Sequence, residues 1–595
     1  MLTDPGAEYG ARIRRWTAEA AHADRLHAAL SYARLALAGL TVVLAWQAFM
    51  SHRLSAVWPA FPAVGFVVCA LVHVRVIERL ERAGRARQLY ERGVTRLDGS
   101  WVGAGPDGAR FLDEHSFGRD LDLFGHGSLF QLLDTARTQV GEETLAAWLR
   151  SGAGIEEVRA RQAAVAELAP KVDFREDLAV LAAESYVGRT NKLEAWAMSP
   201  PSGLSRLHAI VFGACAGVSV ALVVFVVMEA VPPTALLLWI LVQSGLVGIW
   251  RARILAALAH IDTAAHDLAL MSALLARIER ESFTSSRLEA VRAALFDGGT
   301  SPSRSIAKLE RLVSLLDQAT LNPMMRPIGA LVVVRSQVAV AIDRWHATHG
   351  PGVASWLRAV GDIEALSALA TYAYEHPADP FPTMVEDGAE FDASALGHPL
   401  ISERVGVRND VRLGGASPHA LIVSGSNMSG KSTLLRAVGV NVVLALAGAP
   451  VRAASVRMSR LALGATLRVD DSLQAGHSRF YAEILRIRAI VDLLREPQPL
   501  LFLLDEIFGG TNSRDRQIGA EAIVRVLVEG GAIGLVTTHD LALTEIANGL
   551  SGQAANVHFE DRLENGAMVF DYRMRPGVVE RSNALELMRA IGLKV

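Results

Sequence analysis

The chain has 595 residues, which at about 100–200 residues per domain suggests several domains. Hydrophobic residues make up 51% and charged residues 20%, a composition that is too apolar for a disordered chain and shifted toward membrane proteins. The net charge of −3 gives no basic field over the whole protein that would indicate nucleic-acid binding. Its two cysteines, Cys69 and Cys215, lie in apolar runs and exclude a disulfide framework or a zinc site.

Two apolar runs near the N-terminus, residues 35–50 and 54–72, are separated by only three residues and predict a helical hairpin. A bilayer core of about 30 Å requires about 20 apolar residues in a helix. The first run is short and contains Gln47, so a buried hairpin is the alternative to a hairpin that spans a membrane. Residues 76–120 are charged and Gly-rich, which is typical of a cytoplasmic linker. We therefore predict a first unit of membrane hairpin and linker at residues 1–120.

A second pair of apolar runs, residues 209–228 and 231–250, is interrupted only by Glu229-Ala230, and each run is long enough to cross a bilayer. Arginines flank both pairs, whereas the two hairpin tips carry one Arg and one Glu between them. The positive-inside rule then puts both termini and all long segments in the cytoplasm. We therefore predict a multi-pass protein of the cell (inner) membrane, with its second membrane hairpin at residues 206–255.

The segments on either side of the second hairpin show helical periodicity. Leu145, Trp148 and Leu149 share one helix face, and seven apolar residues from Leu258 to Ile278 fall on one stripe. These patterns predict a helical core at residues 121–205 and a helical lever region at residues 256–375.

After His376-Pro377, short β-rich runs alternate with helical patterns and predict an α/β domain at residues 376–595. Residues 425–432 match G-x-x-x-x-G-K-[ST], between an apolar run and a helical pattern. In this motif backbone N–H groups hold phosphates, the lysine reaches the β- and γ-phosphates, and the hydroxyl binds Mg²⁺. Lys431 is therefore also a candidate catalytic residue and Ser432 a metal ligand. The predicted ATP-binding residues are Gly425, Ser426, Asn427, Met428, Ser429, Gly430, Lys431, Ser432 and Thr433.

Another apolar run, residues 501–504, ends in Asp505 and Glu506, as expected for a buried parallel strand with acids at its carboxyl end. Asp505 is predicted to hold Mg²⁺, and Glu506 to polarise the attacking water. Residues 533–538 form a further predicted strand, which is followed by His539. His539 is a candidate catalytic residue that senses the γ-phosphate, and a structural histidine is the alternative.

The order of these motifs resembles the MutS family of DNA mismatch-repair ATPases, which are relatives of the ABC ATPases. The resemblance covers roughly residues 121–200 and 353–595. It implies a P-loop, ABC-like ATPase domain that uses ATP and Mg²⁺ and forms a homodimer, in which Ser478 reaches across to the partner's γ-phosphate. The matching segments are 425–433, Asp470-Asp471, 476–480, Asp505-Glu506, Gly510-Thr511, Thr538-His539 and 555–558.

The chain also departs from the family pattern. Residues 1–120 leave no room for the family's N-terminal mismatch-recognition domain, and the second hairpin interrupts the lever region where the family extends toward its DNA clamp. Near Asn409, where the family commonly places an aromatic that stacks on adenine, this chain has Gly406 and Val407. The DNA clamp and the base contact are therefore expected to differ from the family's.

These observations predict an α and α/β protein: a helical core and lever domain with two transmembrane hairpins, followed by a P-loop α/β ATPase domain. We expect it to bind and hydrolyse ATP as a homodimer through its ATPase domains, and to be embedded in the lipid bilayer. For its output, the resemblance implies DNA binding of the mismatch-repair kind, to mismatched or structured DNA. The alternative is a mechanochemical or scaffold ATPase at the membrane that does not read DNA. Half of an ABC transporter fits less well, because two separate hairpins provide little material for a translocation path.

Overall fold

A computed structural model of the protein describes residues 4–51, 53–55, 57–112, 117–184, 190–296, 299–467, 479–509, 512–550, 552–564 and 567–579. The helices up to the α/β region are α1 (Pro5–Ala45), α2 (Ala60–Asp98), α3 (Leu129–Leu133), α4 (Gln139–Arg150), α5 (Ile155–Leu168), α6 (Val172–Glu184), α7 (Thr190–Ala197), α8 (Arg206–Val227), α9 (Pro233–Ile249), α10 (Arg251–Leu258), α11 (Ile261–Arg280), α12 (Ser286–Ala294), α13 (Pro302–Leu321), α14 (Arg326–Leu331) and α15 (Val334–Glu375).

The first hairpin consists of α1 and α2, which pack against each other along much of their length. Tyr9 and Trp16 are buried near the N-terminal end of α1, and Tyr90 is buried near the C-terminal end of α2. The halves next to the turn instead expose their apolar side chains, among them Leu35, Val42, Phe61 and Leu71. The end of the hairpin that contains the start of α1 and the end of α2 therefore packs on the rest of the protein, whereas the end at the turn is apolar and exposed.

The predicted linker at residues 76–120 is wrong in its first half, because α2 continues to Asp98. Ala83, Ala86, Tyr90 and Gly93 recur at a spacing of three to four residues and are all buried. Charged side chains cover the other faces of this stretch and hid the narrow apolar stripe from the sequence analysis.

In the part of the chain that the structure describes, four helical segments are long and apolar enough, by length and composition, to cross a membrane: Pro5–Met50, Ala60–Asp98, Arg206–Val227 and Arg251–Arg280. The last of these buries a large share of its apolar window inside the protein. In the second predicted hairpin, α9 is a shorter apolar helix of 17 residues, or about 25 Å at 1.5 Å per residue.

The helical core confirms the predicted stripe from Ile261 onward, on α11, whereas Leu258 is the last residue of the separate helix α10. Ile261, Ala265, Leu268, Met271 and Ile278 are buried there, and they pack with residues of α4, α5 and α15 in one continuous core. The 42-residue helix α15 would be about 63 Å long and connects the core to the α/β region.

The two ends of α15 contact different hairpins. Near its N-terminal end, Asp343 accepts hydrogen bonds from the backbone N–H groups of Ser202 and Leu204, at 2.6 and 2.9 Å, just before α8. At its C-terminal end, Glu375 accepts hydrogen bonds from the Tyr9 hydroxyl, at 3.1 Å, and from Arg96. A single helix therefore links both apolar hairpins to the start of the α/β region.

Glu364, in the middle of the C-terminal half of α15, is buried against the start of α4. Its carboxyl accepts hydrogen bonds from the Arg137 backbone, at 2.9 Å, and from the Thr138 hydroxyl. Burial outweighs these hydrogen bonds and raises the pKa of Glu364 to about 7. The group thus binds its proton more tightly in the folded protein than in the unfolded chain.

We expect this carboxyl to make the protein less stable as the pH rises. The contribution of Glu364 to the free energy of unfolding is complete below its unfolded pKa of about 4.3 and is lost as the pH rises through about 7. This loss is on the order of 3 kcal/mol. Glu364→Gln should flatten the pH dependence of unfolding between about pH 5 and 8, measured by denaturant titration. The exposed Glu289→Gln is the matched control, and equal slopes in the two variants would contradict the assignment.

The α/β region begins after α15, and its described residues form ten strands and four α-helices. These are β1 (Thr383–Val385), β2 (Glu390–Leu396), β3 (Asn409–Gly414), β4 (Ala420–Ser424), α16 (Lys431–Ala447), β5 (Ser455–Ser459), β6 (Ala462–Thr466), α17 (Arg479–Asp492), β7 (Leu500–Asp505), α18 (Ser513–Glu529), β8 (Ile533–Thr538), α19 (Ile546–Gly549), β9 (Ala554–Glu564) and β10 (Ala567–Pro576). The predicted change to α/β structure after residue 376 is confirmed.

The strands form two sheets. A four-stranded sheet has the order β1-β5-β2-β3, and a six-stranded sheet has the order β10-β9-β4-β8-β7-β6. In the larger sheet every neighbouring pair is parallel except β9 and β10. Strands β4, β8 and β7 are neighbours, so their carboxyl ends lie side by side at one edge.

Candidate nucleotide-binding site

The glycine-containing loop at residues 425–430 joins the buried strand β4 to helix α16. Gly430 has φ +106° and precedes the first residue of the helix. A side chain at this position would meet both a left-handed backbone and the Tyr572 ring, 3.1 Å from the position of its Cβ. The glycine therefore lets the backbone turn directly into the N-terminus of α16, where N–H groups favour an anion.

Lys431 is the first residue of α16, and its side chain is only 4% exposed. Its Nζ donates hydrogen bonds of 2.9 Å to the carbonyls of Gly425 and Ser426 and lies 3.4 Å from Glu506 Oε1. The loop therefore surrounds the ammonium group, which faces a carboxylate at the end of β7, two strands away from β4 in the sheet. Ser432 is partly buried and Thr433 is exposed on the first turn of the same helix.

The two predicted acids stand at the end of β7. Asp505 pairs with Thr537 of β8 in the sheet register and accepts a hydrogen bond from its hydroxyl. The Glu506 backbone N–H donates to Thr537 Oγ1 at 3.0 Å. Thr537 therefore holds both acids in place, and the sequence analysis missed it because a threonine at a strand end carries no distinct signal.

Glu506 has a positive φ of 47°, which is uncommon for a residue with a side chain. Its carboxylate lies between Lys431 and His539, whose Nδ1 is 3.3 Å from Glu506 Oε2. His539 follows β8 and is half exposed. The structure thus brings together three residues from a stretch of more than 100 positions in the sequence.

A cleft of about 410 Å³ borders the loop. It is lined by 427–434 together with Glu506, by Val405, Gly406 and Val407 before β3, and by Tyr572 of β10. The Asn409 side chain fixes Tyr572 by donating to its carbonyl at 3.0 Å and by accepting from Met574 N–H at 2.7 Å. An aromatic ring therefore does border the cleft, from a strand that the sequence analysis did not associate with the loop.

Two buried hydroxyls of the loop fit an anionic ligand. Ser426 Oγ and Ser429 Oγ are buried and find no hydrogen-bond partner among the described residues. Buried polar atoms without partners are uncommon in native proteins, and a bound phosphate supplies acceptors for such hydroxyls. His398 also lines the cleft, and burial lowers its pKa to about 4, so its imidazole is neutral at physiological pH.

Some predicted residues lie outside the described residues. Ser478, the residue expected to reach a partner's γ-phosphate, is one of them, as are Asp470-Asp471 and Gly510-Thr511. Nearby, Glu483 on α17 accepts a hydrogen bond of 2.5 Å from the Phe508 backbone N–H, two residues after Glu506. Helix α17 is thereby connected to the loop that follows the predicted water-polarising residue.

Comparisons with known proteins match this region. The family model MutS domain V matches residues 421–594. The DNA mismatch repair protein MutS of Natronomonas pharaonis is 34% identical over 266 residues, which are 44% of this chain and 29% of that protein. The DNA mismatch repair protein MSH3 of Phaeosphaeria nodorum is 32% identical over 38% of this chain and 21% of its own length. Endonuclease MutS2 of Thermomicrobium roseum is 35% identical over 33% of this chain and 25% of its own. The chain thus spans less than a third of the length of each of these relatives.

Proposed function

We propose that this chain, which belongs to the MutS family through its C-terminal region, is a membrane-anchored ATPase that binds and hydrolyses ATP as a dimer. The observation that carries the proposal is the convergence of three chain segments on one carboxylate. Lys431 of the loop before α16 and His539 after β8 each lie within 3.4 Å of Glu506, which follows β7.

In this proposal the loop N–H groups and Lys431 bind the phosphates of ATP, and Ser432 and Asp505 hold Mg²⁺. The metal, when bound, neutralises negative charge that develops on the phosphates. Glu506 accepts a proton from the attacking water, and His539 orients that carboxylate or contacts the γ-phosphate. Thr537 keeps both acids at the sheet edge through its hydroxyl.

The dimer is proposed to form through the ATPase domains, with Ser478 of each copy completing the site of the other. This part of the proposal rests on the family resemblance. It predicts that hydrolysis per chain rises with protein concentration, and that mixing wild-type protein with an inactive variant lowers the rate more than dilution does.

Membrane anchoring is supported by the two hairpins, which expose apolar side chains along most of their free ends. Phe61, Leu71, Ile210, Leu237 and Leu241 are each more than 60% exposed. Exposed apolar surface of this extent is typical of contact with lipid. We therefore propose a cell-membrane protein with the ATPase domain and both termini in the cytoplasm.

We expect the full chain to remain in the membrane pellet after an alkaline carbonate wash, which strips peripheral proteins. The physical reason is that extraction would expose both apolar hairpins to water. A peripheral protein held by charge alone is the control for the wash. Release of the full chain with that control would contradict anchoring.

We propose that ATP binding and hydrolysis are coupled to the binding of mismatched or structured DNA, because two of the relatives described above are named DNA mismatch repair proteins. A second candidate is a mechanochemical ATPase that acts on the membrane. It is favoured by the contacts of α15, whose N-terminal end holds the base of the second hairpin through Asp343.

A titration of the purified full chain against homoduplex, mismatched, branched and single-stranded DNA decides between these candidates. It should be made with and without ATP and at two salt concentrations, because phosphate contacts depend strongly on salt. Nucleotide-dependent binding with a structural preference supports DNA coupling. Absence of binding in a sample that hydrolyses ATP supports the membrane-acting candidate.

A further inference from the structure

The end of α13, the turn after it and α14 form a compact pair of antiparallel segments, residues 315–331, which we call the α13–α14 tip. Gly329 packs so closely on α13 that a Cβ there would lie 2.7 Å from the Ala319 carbonyl oxygen. At the other end of α13, the Ser305 carbonyl accepts a hydrogen bond of 2.8 Å from Trp345 on α15. The N-terminal half of α13 is thereby fixed to α15, and the tip lies at the other end of α13.

The tip lies against the second hairpin. Gln243 of α9 is 3% exposed, and its Nε2 donates to the Leu331 carbonyl at 3.0 Å. Its Oε1 accepts from Ser219 of α8 at 2.8 Å, and Trp239 donates to the same hydroxyl at 2.9 Å. Gln243 lies six residues before the end of α9, or about 9 Å along the helix, so the tip reaches alongside the apolar part of the hairpin.

The N–H groups of the turn in the tip find acceptors within the tip. In the turn, the Met324 N–H donates to Asn322 Oδ1 at 3.0 Å, and the N–H groups of Met325 and Arg326 donate to the Asn322 carbonyl. Pro323 has no N–H. This pairing is what an irregular segment needs in order to enter an apolar medium.

The break between α14 and α15 is also capped by side chains. Val333 there has a positive φ of 48°, which interrupts the helix and frees carbonyl groups. Gln243 binds the Leu331 carbonyl, and Gln337 donates to the Val332 carbonyl at 2.9 Å. Broken helices at membrane depth are tolerated when neighbouring helices re-satisfy the freed backbone in this way.

The outer surface of the tip is apolar. Leu321, Met324, Met325 and Ile328 are 74, 85, 44 and 53% exposed. Between Arg311 and Arg335 the ionisable residues are Asp317 and Arg326. Asp317 lies about 6 Å before Leu321 along α13, and the long Arg326 side chain can extend back toward the headgroups.

We propose that the α13–α14 tip is a third membrane-embedded element, which enters the cytoplasmic leaflet beside the second hairpin without crossing the bilayer. Its occupant is lipid hydrocarbon, and its depth is limited to the acyl boundary by Asp317. The inference rests on the proposed membrane anchoring of the second hairpin. It adds that the lever region itself, through α13 and α15, ends inside the bilayer.

The wild-type chain contains matched probes for a test by hydroxyl-radical oxidation and mass spectrometry. Met324 and Met428 are 85% and 84% exposed, so they should oxidise alike where both meet water. Phe225 at the end of α8 and Phe296 after α12 are 49% and 38% exposed and report on the hairpin and on the cytoplasmic side. The protein is placed, without nucleotide, in lipid nanodiscs that hold a single copy.

The expected result is a large loss of oxidation at Met324 relative to Met428, together with protection of Phe225 relative to Phe296. Equal oxidation of the two methionines with Phe225 protected would overturn this inference and leave the anchoring of the hairpin standing. Oxidation of Phe225 to the same extent as Phe296 would overturn the anchoring and this inference with it. Protection of Met324 that appears only in discs holding two copies would assign the surface to a second copy and overturn the lipid contact.

Discussion

Replacement of Glu506 by Gln is expected to leave ATP bound and to reduce its hydrolysis by about 10² to 10⁴-fold. The substitution keeps the size of the side chain and removes its ability to accept a proton from water. The Glu506 carboxylate is near both a buried cation and an imidazole, 3.4 Å from Lys431 Nζ and 3.3 Å from His539 Nδ1.

The measurement pairs equilibrium ATP binding with single-turnover phosphate release. Glu521→Gln on α18 is the matched control, because Glu521 pairs with Arg525 at 3.0 Å on a partly exposed helix face away from the cleft. The control should bind and turn over ATP as the unmodified protein does. Normal phosphate release by Glu506→Gln would refute the assigned role, whereas loss of binding would move Glu506 from proton transfer to ligand binding.

The parts of the site that the sequence predicted are local in the chain. The loop at residues 425–432 has a fixed spacing, and β7 has an uninterrupted apolar run before its two acids, so each is recognisable from its own residues. The two elements meet because parallel strands put their carboxyl ends at one edge of the sheet. That rule needs only the order of the strands.

The parts that the sequence did not predict depend on contacts between distant segments. Tyr572 reaches the cleft because β10 is the edge strand next to β9 and because Asn409, more than 160 residues earlier, holds its backbone. The break before α15 falls within an apolar run, residues 328–334, which carries no turn signal. Its irregular backbone depends on Gln243, a residue of another helix, so periodicity within the run could not reveal it.

Asp120 connects the candidate nucleotide-binding site with the helical core. Its carboxylate accepts from the Leu467 N–H at 3.0 Å and lies 3.4 Å from Arg486 of α17, while its backbone carbonyl accepts from Arg436 of α16 at 3.1 Å. One residue of the core thus touches the helix that begins at the loop and the helix that contacts the segment after Glu506. A change in the spacing of these two helices would displace Asp120 and thereby shift the part of the helical core to which it belongs.

Replacement of Lys431 by Ala is expected to abolish ATP binding. The ammonium group is 4% exposed, and its two hydrogen bonds to Gly425 and Ser426 carbonyls hold the loop in a closed curve. A hydrogen bond that involves a charged group contributes about 1.5–3 kcal/mol, so the loss of its phosphate contact alone weakens binding by about tenfold to a hundredfold. Loss of the loop curvature adds to this effect, because the N–H groups of the loop then no longer converge on one point.

Two variants separate the charge from the packing. Lys431→Met keeps most of the apolar stem and removes the charge, and Lys308→Ala on α13 removes a lysine far from the cleft. We expect Lys431→Met to unfold at a temperature close to that of the unmodified protein while failing to bind ATP in a titration, and Lys308→Ala to bind normally. ATP binding by Lys431→Met would show that the loop and the start of α16 suffice for the phosphates. The buried lysine would then serve to shape the loop through its carbonyl contacts. Lys431→Ala disrupts this role, whereas the methionine side chain of Lys431→Met partly replaces the lysine stem by packing.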